Sequence, residues 1–80
     1  MSFPVLLFAS YADAFDTRRL ECAVALPCTV RTLVEYLRTM PGGQVLPPEP
    51  LVAINLVMSK SDATIRTGDE VALIPPVAGG

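Results

Sequence analysis

Between Pro27 and the triplet Pro41-Gly42-Gly43 lies TVRTLVEYLRTM, the one segment whose apolar residues keep a helical period. Val30, Leu33, Val34, Leu37 and Met40 follow the i, i+3, i+4, i+7 rule of a single helix face, and Arg31, Glu35 and Arg38 fall on the wet side. Thr29 is placed to cap the first turn, where its hydroxyl can accept from a backbone N–H that has no partner inside the helix. The flanking prolines and glycines leave about eleven residues, roughly 16 Å of helix. A helix of that size with one apolar stripe covers one face of a small sheet, so the remaining chain must supply the strands.

The remaining chain reads that way. Val5 to Ala9, VLLFA, is a continuous apolar run of the kind found in a strand buried on both faces. After a polar connection over Ser10 to Arg19, Leu20 to Leu26 alternates, with Leu20, Cys22, Val24 and Leu26 on one side and Glu21, Ala23 and Ala25 on the other. These two segments pair as a hairpin with a long loop. Gln44 to Pro50, QVLPPEP, holds three prolines and reads as a stiff surface loop. Leu51 to Met58 is a third strand interrupted by Asn55, whose amide fixes a local backbone bond. Ser59 to Thr67 is short and polar. Thr67-Gly68-Asp69 makes a turn, and Glu70 to Ile74 is a fourth strand closed by Pro75-Pro76. The expected fold is α+β, one domain over 1–80, with a mixed sheet and one main helix on one face.

Strand parity adds a consequence. Leu6 and Phe8 point opposite to Val5 and Leu7, and Ala72 and Ile74 point opposite to Val71 and Leu73, yet all are apolar. One helix cannot cover both faces. Either loops fold over the second face or a protein partner does, and a large exposed apolar patch usually marks a partner. Composition agrees: hydrophobic residues are 51% of the chain and charged residues 18%, more apolar surface than a small globule hides easily.

Several function classes drop out. Six basic against eight acidic residues, with only Arg18 and Arg19 adjacent, give no cationic stripe for a nucleic acid. No apolar run approaches the length of a membrane span, and no Lys or Arg precedes Arg18 as a signal peptide requires, so a soluble, cytoplasmic protein is expected. The absence of histidine removes a Ser/His/Asp triad, a Cys/His pair and the common zinc sites, and no metal is expected. Cys22 and Cys28 have neither redox nor zinc spacing and read as small apolar residues in or near the core. Gly42-Gly43 lacks the Lys and Ser/Thr of a phosphate loop and reads as a turn, and Asp69 and Glu70 are neighbours whose side chains diverge. Any chemistry must run through the backbone or a terminus.

The terminus is built for it. Pro75 and Pro76 favour an extended path away from the last strand, and Val77, Ala78, Gly79 and Gly80 complete a six-residue tail that reaches at most about 20 Å. Without side chains, Gly79 and Gly80 can pass through a channel too narrow for other residues. The terminal carboxylate, with a pKa near 3.5, is ionised at pH 7 and must be activated, for example as a mixed anhydride with AMP, before it reacts with a nucleophile.

These residues carry a resemblance. TGDEVALIPPVAGG resembles the C-terminal signature of the molybdopterin synthase small subunit, the MoaD family, and VLLFA, TVRTLVEYL and VAIN resemble its first strand, its helix and its third strand with Asn55. Asp16 stands where a glycine is common in that family. The resemblance implies a ubiquitin-like β-grasp with the last strand parallel to the first. It further implies that an ATP-using activating enzyme adenylates Gly80 and that a sulfur donor protein turns the adenylate into a thiocarboxylate. The large subunit of the synthase then takes up the tail and passes the sulfur to cyclic pyranopterin monophosphate, two transfers building the dithiolene of molybdopterin. No cofactor is implied as resident: ATP is consumed by the activating enzyme and sulfur rides transiently on Gly80. Phe8, Met58 and Ile74 match apolar positions that meet the large subunit, and two copies of each subunit are implied. The competing expectations are a sulfur carrier for thiamine or tungsten cofactor assembly, a modifier joined to lysines, and a noncovalent β-grasp interaction domain with an inert terminus.

Overall fold

The computed structural model describes residues 2–76. Five strands form a mixed sheet in the order β2-β1-β7-β4-β5, where β1 is Phe3–Leu7, β2 Arg19–Cys22, β4 Leu51–Ile54, β5 Val57–Ser59 and β7 Val71–Ile74. β1 and β2 form the expected antiparallel hairpin, β7 lies between β1 and β4, and β7 runs parallel to β1. Two-residue strands β3 (Cys28–Thr29) and β6 (Thr64–Ile65) make a separate antiparallel pair.

The main helix, α2 (Val30–Arg38), forms where its period predicts but is nine residues long, ending before Met40, which still packs against the core. Thr29 Oγ1 accepts from the Thr32 backbone N–H at 3.2 Å, which answers one of the open donors of the first turn. Two more donate to the segment before β6: Val30 N–H to the Ala63 carbonyl at 3.0 Å and Arg31 N–H to the Ser61 carbonyl at 2.9 Å. Val30, Leu33, Val34 and Leu37 are buried against Val5, Leu7, Val52, Ile65, Val71 and Leu73. Each fully buried aliphatic side chain contributes about 1.5–3 kcal/mol, and this one cluster is the core.

Four expectations need correction. Ser10 to Arg19 is not all connection, because Ala9–Phe15 forms a second helix, α1. Its inward residues are Tyr11, Ala12 and Phe15, a stripe one turn long, and the Phe8 carbonyl starts it by accepting from the N–H groups of Tyr11 and Ala12. Asp16 ends it in the left-handed region at φ 58, a position glycine fills most easily and aspartate tolerates. Second, the strand expected over Leu20 to Leu26 stops at Cys22, opposite Phe3, where its partner β1 begins. Val24 and Leu26 still turn inward while Ala23 and Ala25 stay exposed, and the Tyr36 hydroxyl accepts from the Ala23 N–H at 3.2 Å. Alternation therefore outlasts the ladder. Third, Leu51 to Met58 is two strands, folded back at Asn55 and Leu56, both left-handed at φ 53 and 69. That is the two-residue turn whose twist suits a hairpin. Fourth, the proline loop opens on a 3₁₀ turn, Gly43–Val45, and buries Leu46.

Candidate functional site

The sheet's second face is open. Register puts Arg19, Leu6, Ala72, Ala53 and Met58 in one row across all five strands, and Ile74 beside Leu51 in the next. The two alanines keep the middle of this face low, and larger apolar side chains rise around it. Phe8 is 47% exposed, Leu51 49% and Met58 54%, so the second face carries three of the six large apolar side chains that stand exposed among the described residues. Phe8, Ile74 and Met58, the three residues singled out from sequence, share this face, Phe8 and Ile74 at the edge from which the chain leaves β7. Leu51 was not singled out, although it stands against Ile74. In β4 it is the even residues Val52 and Ile54 that pack inward, opposite Leu73 and Val71, and only the register reveals that phase.

The strand that carries the tail is the central one of the five. β7 is hydrogen-bonded on both sides, and Val71 and Leu73 are fully buried. Its approach is tied down by Asn55. The Asn55 side chain donates to Asp69 Oδ1 and accepts from the Glu70 N–H, each at 2.9 Å, while its own N–H donates to the Glu70 carbonyl at 2.8 Å. Asp69 Oδ2 accepts from the Arg66 N–H at 2.8 Å. The amide thus joins the β4–β5 turn to the turn before β7, a longer-range duty than the local bond its position in a strand suggested. The Arg66 N–H first, and then the Asn55 amide, hold the Asp69 carboxyl below its usual value. A carboxyl lowered in the folded state stabilises the fold above its unfolded pKa, about 3.9, and loses that contribution as pH falls through the folded value. Asn55→Ala is therefore expected to lower Tm at pH 7 and to flatten the acid limb of stability. An acid limb identical to that of the parent chain would show that Asp69 does not depend on this network.

Beyond Ile74 the chain turns to Pro75, half-buried, and Pro76, exposed. The remaining tail residues Val77, Ala78, Gly79 and Gly80 lie outside the described residues. Pro76 borders a hollow formed with Ser10, Tyr11, Val45 and Pro47, which sequence reading did not bring together.

Among the described residues the side chains form no other centre. Burial above all, with Glu21 and Cys28 adding, pushes the Cys22 thiol up to about 11, and burial raises Cys28 as well. The thiolate is the nucleophilic form, so neither cysteine is poised to carry sulfur at neutral pH. Among the described residues no cluster of His, Cys, Asp and Glu could hold a metal ion, and no helix is long and apolar enough to cross a membrane.

Known proteins share this architecture. The model of the ThiS family matches residues 5–80. The molybdopterin synthase sulfur carrier subunit of Escherichia coli is 34% identical over 79 residues, which cover 95% of this chain and 96% of that protein. Among solved structures, SAMP1 from Haloferax volcanii superposes with a TM-score of 0.79 at 27% identity, covering both chains completely. A chain from the complex of subunits 1 and 2 of the molybdopterin-converting factor of Helicobacter pylori superposes with a TM-score of 0.69 at 20% identity, again over both full lengths. The fold is a ubiquitin-like β-grasp.

Proposed function

Because this chain belongs to the ThiS family, we propose that it is the sulfur carrier subunit of a molybdopterin synthase and works through Gly80. The observation that supports the reading is where the chain leaves the sheet. The central strand delivers Pro75-Pro76 at the rim of an open apolar face, and the sequence beyond is a stem ending in two glycines. A partner that covers the face receives the terminus in a defined direction.

The chemistry follows from the carboxylate. Its oxygen attacks the α-phosphorus of ATP on an activating enzyme and pyrophosphate leaves. A sulfur donor protein supplies sulfur at the sulfide level, which adds to the acyl carbon and expels AMP, leaving a thiocarboxylate on Gly80. On the large synthase subunit that sulfur stays nucleophilic and tethered, so its transfer to cyclic pyranopterin monophosphate is a local event instead of a diffusive one. Two such transfers complete the dithiolene. Catalytic side chains come from the large subunit, two copies of each subunit make the working enzyme, and the need for ATP and reduced sulfur places the pathway in the cytoplasm.

One assay tests this. Incubated with the cognate activating enzyme, ATP and a sulfur source, the chain is expected to gain the mass difference between one sulfur and one oxygen; an unchanged intact mass would sink the carrier reading. The likeness to SAMP1 favours a second reading, a protein modifier whose acyl adenylate is taken by a lysine amine. Its product is a conjugate instead of a thiocarboxylate, so the same mass measurement separates the two.

The interface can be tested independently. Phe8→Asp keeps an extended residue that caps α1 better than phenylalanine does, so folding should survive. Affinity for the large subunit is expected to fall about 30-fold, the loss of a buried aromatic anchor worth about 2 kcal/mol. Unaltered affinity would remove the open face from the interface.

A further inference from the structure

Leu56 carries two costs at once. It has the most exposed large apolar side chain among the described residues, at 88%, and its backbone is left-handed at φ 69. A bulky residue is an outlier in that region, which glycine or asparagine occupies with less strain. At this exposure, packing within the chain does little to offset it. Strain of this kind persists where the surroundings impose it, and it collects at binding sites. The surroundings here are firm. Asn55, the first residue of the turn, is bonded through its side chain and its own N–H to Asp69 and Glu70, and Ile54 pairs with Val57 across the turn. The turn is fixed from both sides and holds the leucine outward.

Its position says what the leucine meets. Leu56 opens the run Leu56, Val57, Met58, which supplies half of the six exposed large apolar side chains. Val57 and Met58 belong to β5, an outermost strand with one edge unpaired in the sheet. The opposite edge strand, β2, carries Arg19 and Glu21, charges of the kind that keep an edge from sticking. β5 has neither a charge nor a proline. Met58 also stands in the row that crosses the open face, so the run continues that face around the β5 edge without a break. From β1, which leads into Phe8, to β5 is three strand spacings, about 14 Å. An interface of ordinary size covers about 800 Å² on each partner, a patch roughly 30 Å across, so a partner seated on Phe8, Ile74 and Met58 reaches over this edge.

We infer that Leu56 is an anchor of the contact with the large subunit: the turn holds it beyond the edge strand, and an apolar pocket of that subunit receives it. The inference rests on the carrier reading and on the open face as its interface, and it extends that interface around β5 to a residue that selects among large subunits by the pocket they offer.

The test measures Tm and affinity for the large subunit in the parent chain and two variants. Leu56→Asn suits the left-handed turn and removes the apolar contact, so its Tm should equal or exceed that of the parent while its affinity falls roughly tenfold. Leu56→Met keeps an apolar side chain of similar reach and should stay within about threefold of the parent affinity. A purely structural leucine cannot give a chain that is at least as stable and binds less. Unaltered affinity of Leu56→Asn overturns the inference. So does a Leu56→Met chain that binds no better than Leu56→Asn, because the loss would then not come from an apolar contact, and so does a Leu56→Asn chain of lower Tm, because the leucine would then serve the turn itself. The Phe8→Asp chain separates this inference from the reading beneath it. Binding weakened by Phe8→Asp but not by Leu56→Asn overturns the anchor alone, whereas a parent chain that does not bind the large subunit overturns both.

Discussion

A chain lengthened by one alanine after Gly80 is expected to load no sulfur and to support no cofactor synthesis, while its thermal unfolding stays that of the parent chain. The extra residue moves the reactive carboxyl about 3.5 Å further along the tail and puts a methyl group where glycine offered none. Adenylation requires that carboxylate in line with the α-phosphorus, and a misplacement of 1 Å alone can cost about 100-fold in rate. Stability should not move, because the last buried residue among those described is Leu73 and the core cluster does not extend past it. Intact mass after incubation with the activating enzyme reads the first half of the claim, and calorimetry the second. Retained loading would show that the exact position of the carboxyl is immaterial, and retained cofactor synthesis without loading is what an inert tail on an interaction domain would give.

How far sequence reaches into such a molecule depends on what each feature needs in order to be seen. Helix α2 was legible because four buried residues recur over more than two turns and Thr29 marks the start. Helix α1 was not, because seven residues with one turn of apolar stripe and no side-chain cap give no period to detect. The Asn55-Leu56 turn was hidden by chemistry: such turns usually advertise a glycine, and here a leucine accepts φ 69 while 88% exposed. Asn55 was the only local signal, and it registered as an interruption. The two-sided character of β1 and β7 was legible from parity alone, so Phe8 and Ile74 were assigned to the right face. Leu51 was not, since the phase of β4 depends on its pairing with β7. The hollow at Pro76 joins residues 10, 11, 45, 47 and 76, whose proximity is a product of the tertiary fold and leaves no pattern along the chain.

Gly42-Gly43 is the clearest case of a feature seen correctly but for too small a reason. A turn after a helix needs a glycine for conformation, and Gly42 at φ 93 fits that need. Gly43 has another role: a Cβ there would stand 2.0 Å from the Leu37 carbonyl oxygen and 2.8 Å from the Arg38 Cα. Both are backbone atoms of α2, and no rotamer change can relieve the overlap. Gly43→Ala must therefore push the turn off the helix, taking with it Leu46, which is 3% exposed, and the wall of the hollow at Val45 and Pro47. The expected loss is about 3 kcal/mol, at the upper end for overpacking. In a domain of this size that lowers Tm by roughly 12–24 °C. Gly68→Ala supplies the contrast. Gly68 has φ 91 but open space around its Cβ position, so alanine there meets only conformational strain of about 1 kcal/mol. If the two variants unfold at the same temperature, close packing of the turn against α2 is not what holds this corner together. If Gly43→Ala falls well below Gly68→Ala, the glycine pair is a seam between helix and loop, and the geometry of the tail's exit depends on it.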